Sequence, residues 1–180
     1  MILRPVIPSA PSYYAAPDKL ARLRAAAAEL RGTPFFPNSE APGRDGGIDC
    51  VRALHYLYRT SVAIAPIAIS RQTMDHGQHS DRSLLIEAFE SWPELLARFA
   101  CVWRRAPDAE PKLPELELLP GDALCFIAGK VPHHGGALLE HGDFLHALRR
   151  HGVHTMRLDA VFRGWSVLGR LAAVYRPLPR

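Results

Sequence analysis

An α+β domain is the architecture this sequence predicts, and three observations carry that prediction. Apolar residues recur at helical spacing through the first half of the chain, whereas short apolar runs separated by turn residues crowd its last third. Composition agrees, because 48% hydrophobic and 22% charged residues among 180 supply one sizeable core and give no sign of disorder. Helices first and strands second place the helices on one face of a mainly antiparallel sheet of about five strands. Residues 1–180 read as a single domain without internal repeats.

Residues 1–16, with Pro5, Pro8 and Pro11 ahead of Tyr13 and Tyr14, predict an extended arm on the domain surface. Residues 17–31 predict an amphipathic helix: Pro17 suits its first turn, Leu20, Leu23, Ala27 and Leu30 share a face, and Gly32 suits its stop. A loop over 33–44 leads to Gly46-Gly47-Ile48-Asp49-Cys50, which opens a second helix. There Asp49 is a good N-cap, and Val51, Leu54 and Tyr58 recur on one buried face. Residues 61–74 are apolar but broken by Pro66, as a loop or short strand would be. Residues 80–92 predict a helix capped by Ser80 or Asp81 with Leu84, Leu85, Ala88 and Phe89 inward, and Pro93 starts a shorter one through Phe99. Proline and acidic residues mark 105–120 as an exposed connection. Strands are expected at 123–127, 134–139, 143–148, 153–158 and 168–175.

Chemistry concentrates at the mouth of the second helix. A cysteine in a first turn meets unpaired backbone N–H groups and the positive end of the helix dipole, which favour the thiolate, the nucleophilic form. Cys50 is therefore the candidate nucleophile. Cys101 and Cys125 lie inside apolar runs and read as core residues, and an odd total of three cysteines argues for free thiols. The candidate bases are His134 and His146. If 136–139 and 143–147 form a hairpin, the three-residue loop Glu140-His141-Gly142 puts both imidazoles on one face. His146 then stands opposite Gly136 and diagonal to His134, about 7–8 Å away between backbone positions. Gly142 supplies the left-handed residue that such a loop needs, and Gly136 leaves the space between the rings open. On the same alternation His133 points to the other face, while His141 belongs to the turn and His151 and His154 read as solvent-facing.

Several motifs stand in a fixed order: Gly47-Ile48-Asp49-Cys50, Pro120-Gly121-Asp122 before an apolar strand, His134-x-Gly136, and Phe144-Leu145-His146-Ala147 twelve residues after His134. With the earlier Arg31-Gly32-Thr33-Pro34-Phe35, this pattern resembles the NlpC family of papain-like cell-wall cysteine peptidases, over about residues 20–175. The resemblance implies a papain-like NlpC fold in which Cys50 attacks an amide carbonyl, His134 carries the proton and His146 orients His134. It also implies a peptidoglycan stem peptide as substrate, cut between γ-D-glutamate and the diamino acid, and no cofactor or metal. The chain departs from the family where a tyrosine is replaced by Phe35 or Phe36, W-G-G by Pro37-Asn38-Ser39, and the residues after the cysteine by Val51 and Arg52. Asp49, Arg52, Phe35 and Gly136 are candidate substrate contacts, with Arg52 either pairing a peptide carboxylate or standing as a solvated surface arginine.

Scattered arginines and a net charge of +4 make a weak case for a polyanionic surface, and neither nucleic acid nor membrane is an expected partner. No run approaches the roughly 20 apolar residues of a membrane span, and the proline-broken start at Met1 is too short for a signal peptide. The expectation is synthesis in the cytoplasm and delivery to the wall by a carrier, of which phage-tail proteins are the candidate partners. Among nine histidines, Asp75-His76-Gly77-Gln78-His79 has metal-ligand spacing but no predicted helix to converge it. Two other readings stay open: a catalytically silent tail or secretion-system component, and an amidase or acyltransferase on the same fold.

Overall fold

The computed structural model describes residues 3–62, 64, 66, 69, 82–106 and 117–179. Two longer helices come first, α1 at Pro17–Leu30 and α2 at Cys50–Ser61, with the short antiparallel pair β1 (Glu40–Ala41) and β2 (Gly47–Ile48) between them. Two short helices follow, α3 at Leu84–Ser91 and α4 at Pro93–Arg98. The strands are β3 (Phe99–Arg104), β4 (Ala123–Ile127), β5 (Pro132–Leu138), β6 (Asp143–Leu148), β7 (Gly152–Arg157), β8 (Val161–Phe162), β9 (Trp165–Ser166) and β10 (Leu171–Pro177). Six of them form one antiparallel sheet in the order β3-β10-β4-β5-β6-β7, while β8 and β9 make a separate hairpin.

Both longer helices lie on one face of the sheet. Leu23, Leu30, Leu54, Leu57 and Tyr58 pack there against Ala123, Cys125, Ala137, Leu145, Ala147 and Val153. Small residues on that face let the helices approach closely, and burying a leucine such as Leu30 or Leu57, each 0% exposed, contributes about 1.5–3 kcal/mol. The opposite face carries a second apolar cluster that includes Leu124, Phe126, Leu138, Phe144 and Val174.

The sheet has six strands rather than the expected five. Phe99, read from the sequence as the end of a helix, heads β3, which pairs with β10. Its first four residues are all buried, so the strand shows none of the alternation that marks a half-exposed one. The outer edge of β3 is covered by the N-terminal arm: Ile7 N–H donates to the Cys101 carbonyl at 2.7 Å, and Arg104 donates to the Arg4 carbonyl at 3.0 Å. The arm ends in a 3₁₀ turn at Tyr13–Ala15 capped by Ser12, so it is not extended throughout. Ser83 caps α3, accepting from Ile86 N–H at 3.1 Å. Of the earlier expectations, the caps at Ser80 and Asp81, most of the 61–74 stretch, the Asp75–His79 motif and 107–116 lie outside the described residues.

Pro120-Gly121-Asp122 has a structural use. The Asp122 carboxylate accepts two hydrogen bonds from Arg176, each at 2.9 Å, with side chains 0% and 2% exposed. Arg176 also donates to the carbonyls of Ala10 at 3.0 Å and Glu117 at 2.6 Å, so one buried ion pair ties the start of β4 to β10 and the arm. No helix among the described residues is long and apolar enough to cross a membrane.

Candidate active site

Cys50 is the first residue of α2, and Asp49 caps the helix by accepting from Arg52 N–H at 2.9 Å. The thiol donates to the His133 carbonyl, with sulfur and oxygen 3.9 Å apart, while the N–H of Gly135 also acts on the sulfur. These two groups flank His134, and the strand ladder explains how the sulfur reaches the Gly135 N–H. Leu138 N–H bonds toward β4 and Leu139 N–H toward Asp143, so odd-numbered residues here direct their N–H toward β6. The β5–β6 ladder stops at Gly136–His146. Beyond it Gly135, still paired with Cys125 of β4, has no facing residue in β6, and the Cys50 sulfur takes that place. Glycine leaves room for the approach: a Cβ at residue 135 would lie 2.5 Å from Leu54 Cδ1, which would have to shift.

The imidazoles issue from the sheet face opposite the helices, beside Phe126 and Phe144. His146 stands directly opposite Gly136, the register expected from the three-residue loop, in which His141 (φ 57°) and Gly142 (φ 81°) are both left-handed. His134 Nε2 and His146 Nδ1 are 2.9 Å apart. One further ring joins them. His154, expected to face solvent, is half-buried opposite His146 in β7, with its Nε2 3.2 Å from His146 Nε2 and its Nδ1 3.2 Å from the Gly152 carbonyl. No hydrogen bond links the Cys50 sulfur to a nitrogen of His134 among the described residues, so the link between them runs through the backbone on either side of His134.

Burial decides the electrostatics. It pushes the Cys50 thiol up to about 11, Asp49 adds to the rise, and the N–H groups of Gly135, Val51 and Cys50 offset only part of it. Burial also pulls His134 down to about 4, with His133 and His154 adding to the fall. His146, in contact with two other rings, falls to about 2 for the same first reason. The thiolate expected from the helix mouth is therefore not the resting form: thiol and imidazole are both neutral near pH 7.

The remaining candidates have defined places. Asp49 is fully used, accepting from Arg52 N–H and, through Oδ2, from Asn38 N–H at 2.8 Å and the Arg52 guanidinium at 2.6 Å. Arg52 is 7% exposed and also donates to the Ile69 carbonyl at 3.1 Å, so it is neither a solvated surface arginine nor turned outward to a ligand. Phe35 packs half-buried against the helix-side core, whereas Phe36 is 56% exposed. Gly136 stands opposite His146, and a Cβ there would meet Phe144 Cδ2 at 2.7 Å. A bulge between β4 and β5 falls at His133, so strict alternation does not apply to it. A cavity of about 350 Å³ opens beside the imidazole row, lined by Phe126, Phe144, Met156, Phe162, Trp165 and Arg170 among others. No group of three or more His, Cys, Asp or Glu among the described residues is placed to hold a metal ion.

The sequence matches no protein-family model and no curated protein. Solved structures do match. A protein similar to lipoprotein of the NLP/P60 family from Staphylococcus aureus subsp. aureus Mu50 superposes with a TM-score of 0.54 at 13% identity, over 97% of this chain and 46% of its own. NlpC2 from Trichomonas vaginalis gives 0.51 at 16% identity, over 90% and 48%, and an NlpC/P60 family protein from Bacillus cereus ATCC 10987 gives 0.50 at 19%, over 96% and 43%. This chain thus spans less than half the length of each. The shared feature is the fold.

Proposed function

We propose that this chain, which has the papain-like NlpC/P60 fold, is a thiol hydrolase cleaving amide bonds in peptidoglycan stem peptides, of the γ-D-glutamyl-diamino acid endopeptidase type. One observation carries the reading: the Cys50 sulfur rests on the backbone flanking His134, whose Nε2 lies 2.9 Å from His146 Nδ1. In the reaction the sulfur attacks the amide carbonyl as its proton passes to His134 Nδ1. The Cys50 N–H steadies the oxyanion, and the tetrahedral adduct collapses to a thioester, the amine leaving with the proton from His134. Water then adds to the thioester with His134 as base, releasing the carboxylate and restoring the thiol. Because burial keeps both partners neutral at rest, proton transfer belongs to the attack step and not to a preformed ion pair.

A catalytically silent tail or secretion-system component is the second reading, favoured by that same neutrality of thiol and imidazole. Incubation of muropeptides with wild type and Cys50→Ala separates the two: release of a new amine that vanishes in the variant and survives chelator supports the hydrolase, and no turnover on any acyl substrate supports the silent reading. Delivery to the wall by a tail-like particle belongs to the same proposal, and mass spectrometry of purified particles tests it.

A further inference from the structure

We propose that His154 is a positioning residue that, through His146, fixes which nitrogen of His134 is free to accept a proton. The argument follows hydrogen-bond polarity along the row. A carbonyl oxygen only accepts, so the contact of His154 Nδ1 with the Gly152 carbonyl at 3.2 Å requires the His154 proton to sit on Nδ1. A neutral His154 with its proton on Nδ1 presents Nε2 as an acceptor, and across the 3.2 Å contact this puts the His146 proton on Nε2. His146 Nδ1 in turn accepts from His134 Nε2–H across 2.9 Å. The proton of His134 is thereby held on Nε2, leaving the Nδ1 lone pair free to act as base.

Without His154 the pair His134–His146 has no such direction. Two neutral imidazoles can share one hydrogen bond with the proton on either side, and the reversed form puts a proton on His134 Nδ1 and disables the base. The Gly152 carbonyl breaks that symmetry, and its own position is set locally. Val153 N–H donates to the Thr33 carbonyl at 2.8 Å, and Gly32 N–H to the Val153 carbonyl at 2.9 Å, so the turn ahead of β7 is tied to the end of α1. Facing pairs of β6 and β7 run from Asp143–Arg157 to Leu148–Gly152, which leaves His146 and His154 no freedom to slip.

The functional half of this inference rests on the proposed hydrolase, so the test has two arms. In ¹⁵N-histidine-labelled protein, two-bond ¹H–¹⁵N correlations read each ring's tautomer whether or not the protein turns over substrate. The expected pattern is His154 protonated on Nδ1, with His146 and His134 protonated on Nε2. His154→Phe loses that pattern at His146 and His134 and lowers kcat about 10–100-fold with KM little changed, as loss of an outer hydrogen-bond partner does elsewhere. His154→Gln, whose amide oxygen accepts from His146 Nε2–H, keeps the pattern and most of kcat. Wild-type His146 protonated on Nδ1, or a His154→Phe protein with unchanged tautomers, overturns the proposal. A wild type that shows the expected tautomers but cleaves nothing overturns the hydrolase reading instead.

Discussion

Reactivity of Cys50 against pH is the sharpest probe of the neutral resting site. With its thiol pushed up to about 11, Cys50 is thiolate in only about 1 molecule in 10,000 at pH 7, and that fraction rises about tenfold per pH unit. The balance is readable in the structure: burial and Asp49 raise the value, and three backbone N–H groups are too few to restore it. The assay is alkylation by iodoacetamide from pH 6 to 9, followed by intact mass and localised by digestion. Cys101 and Cys125, 1% and 0% exposed, serve as unreactive references in the same molecule. The expected log rate rises by about one for each pH unit across the whole range. A plateau between pH 6 and 8 would refute the reasoning, since it means that the thiol gives its proton to His134 before substrate arrives. His134→Ala should leave the profile unchanged, because a neutral imidazole contributes no charge to stabilise.

The rest of the molecule gives further expectations. Arg176→Met strands the buried Asp122 carboxylate and should cost about 3–5 kcal/mol, or roughly 6–20 °C in melting temperature, with part of the loss recovered by Asp122→Leu in the same chain; a shift under about 2 °C contradicts the role given to this pair. Gly135→Ala drives a Cβ to 2.5 Å from Leu54 Cδ1 and should destabilise by about 1–3 kcal/mol while displacing the Cys50 end of α2, read as a loss of turnover larger than the loss of folded protein. Acid should weaken the fold. The folded pKa of His134, about 4, lies below its ordinary 6.5, so the unfolded chain takes the proton first as pH falls. The contribution is full above pH 6.5 and lost toward pH 4, amounting to about 3 kcal/mol for this ring alone. Denaturant midpoints for wild type and His134→Gln at pH 7 and pH 4.5 measure it, and equal pH dependence in the two proteins speaks against a half-buried, neutral His134.

How much of this was legible in the chain depended on how local the governing interaction is. Asp49 capping α2, Gly142 in the turn and His146 opposite Gly136 all follow from short-range rules, and each is observed. His154 obeys the same parity rule. Three residues, 149–151, separate β6 from β7, which sets His154 opposite His146 just as the preceding loop sets His146 opposite Gly136. The partner of His154 lies on another strand, so the solvent-facing reading made from the sequence fails once β7 is paired with β6. Arg52 was misjudged for a related reason: a charged side chain three residues after an aspartate cap has an intrahelical partner close by, and burial commits it to that partner.

By itself the sequence determined the order of helices and strands, the start of α2 at a cysteine and the pairing of two histidines across a hairpin, since caps, turn residues and side-chain alternation act within a few residues. Only the tertiary structure decided that β3 is a strand, that the sulfur enters the ladder where β5 and β6 part, and that the Cys50 thiol and the His134 imidazole are both neutral. Those outcomes depend on what the rest of the chain packs around each group: a strand needs its neighbour, and a pKa follows the water that distant residues exclude.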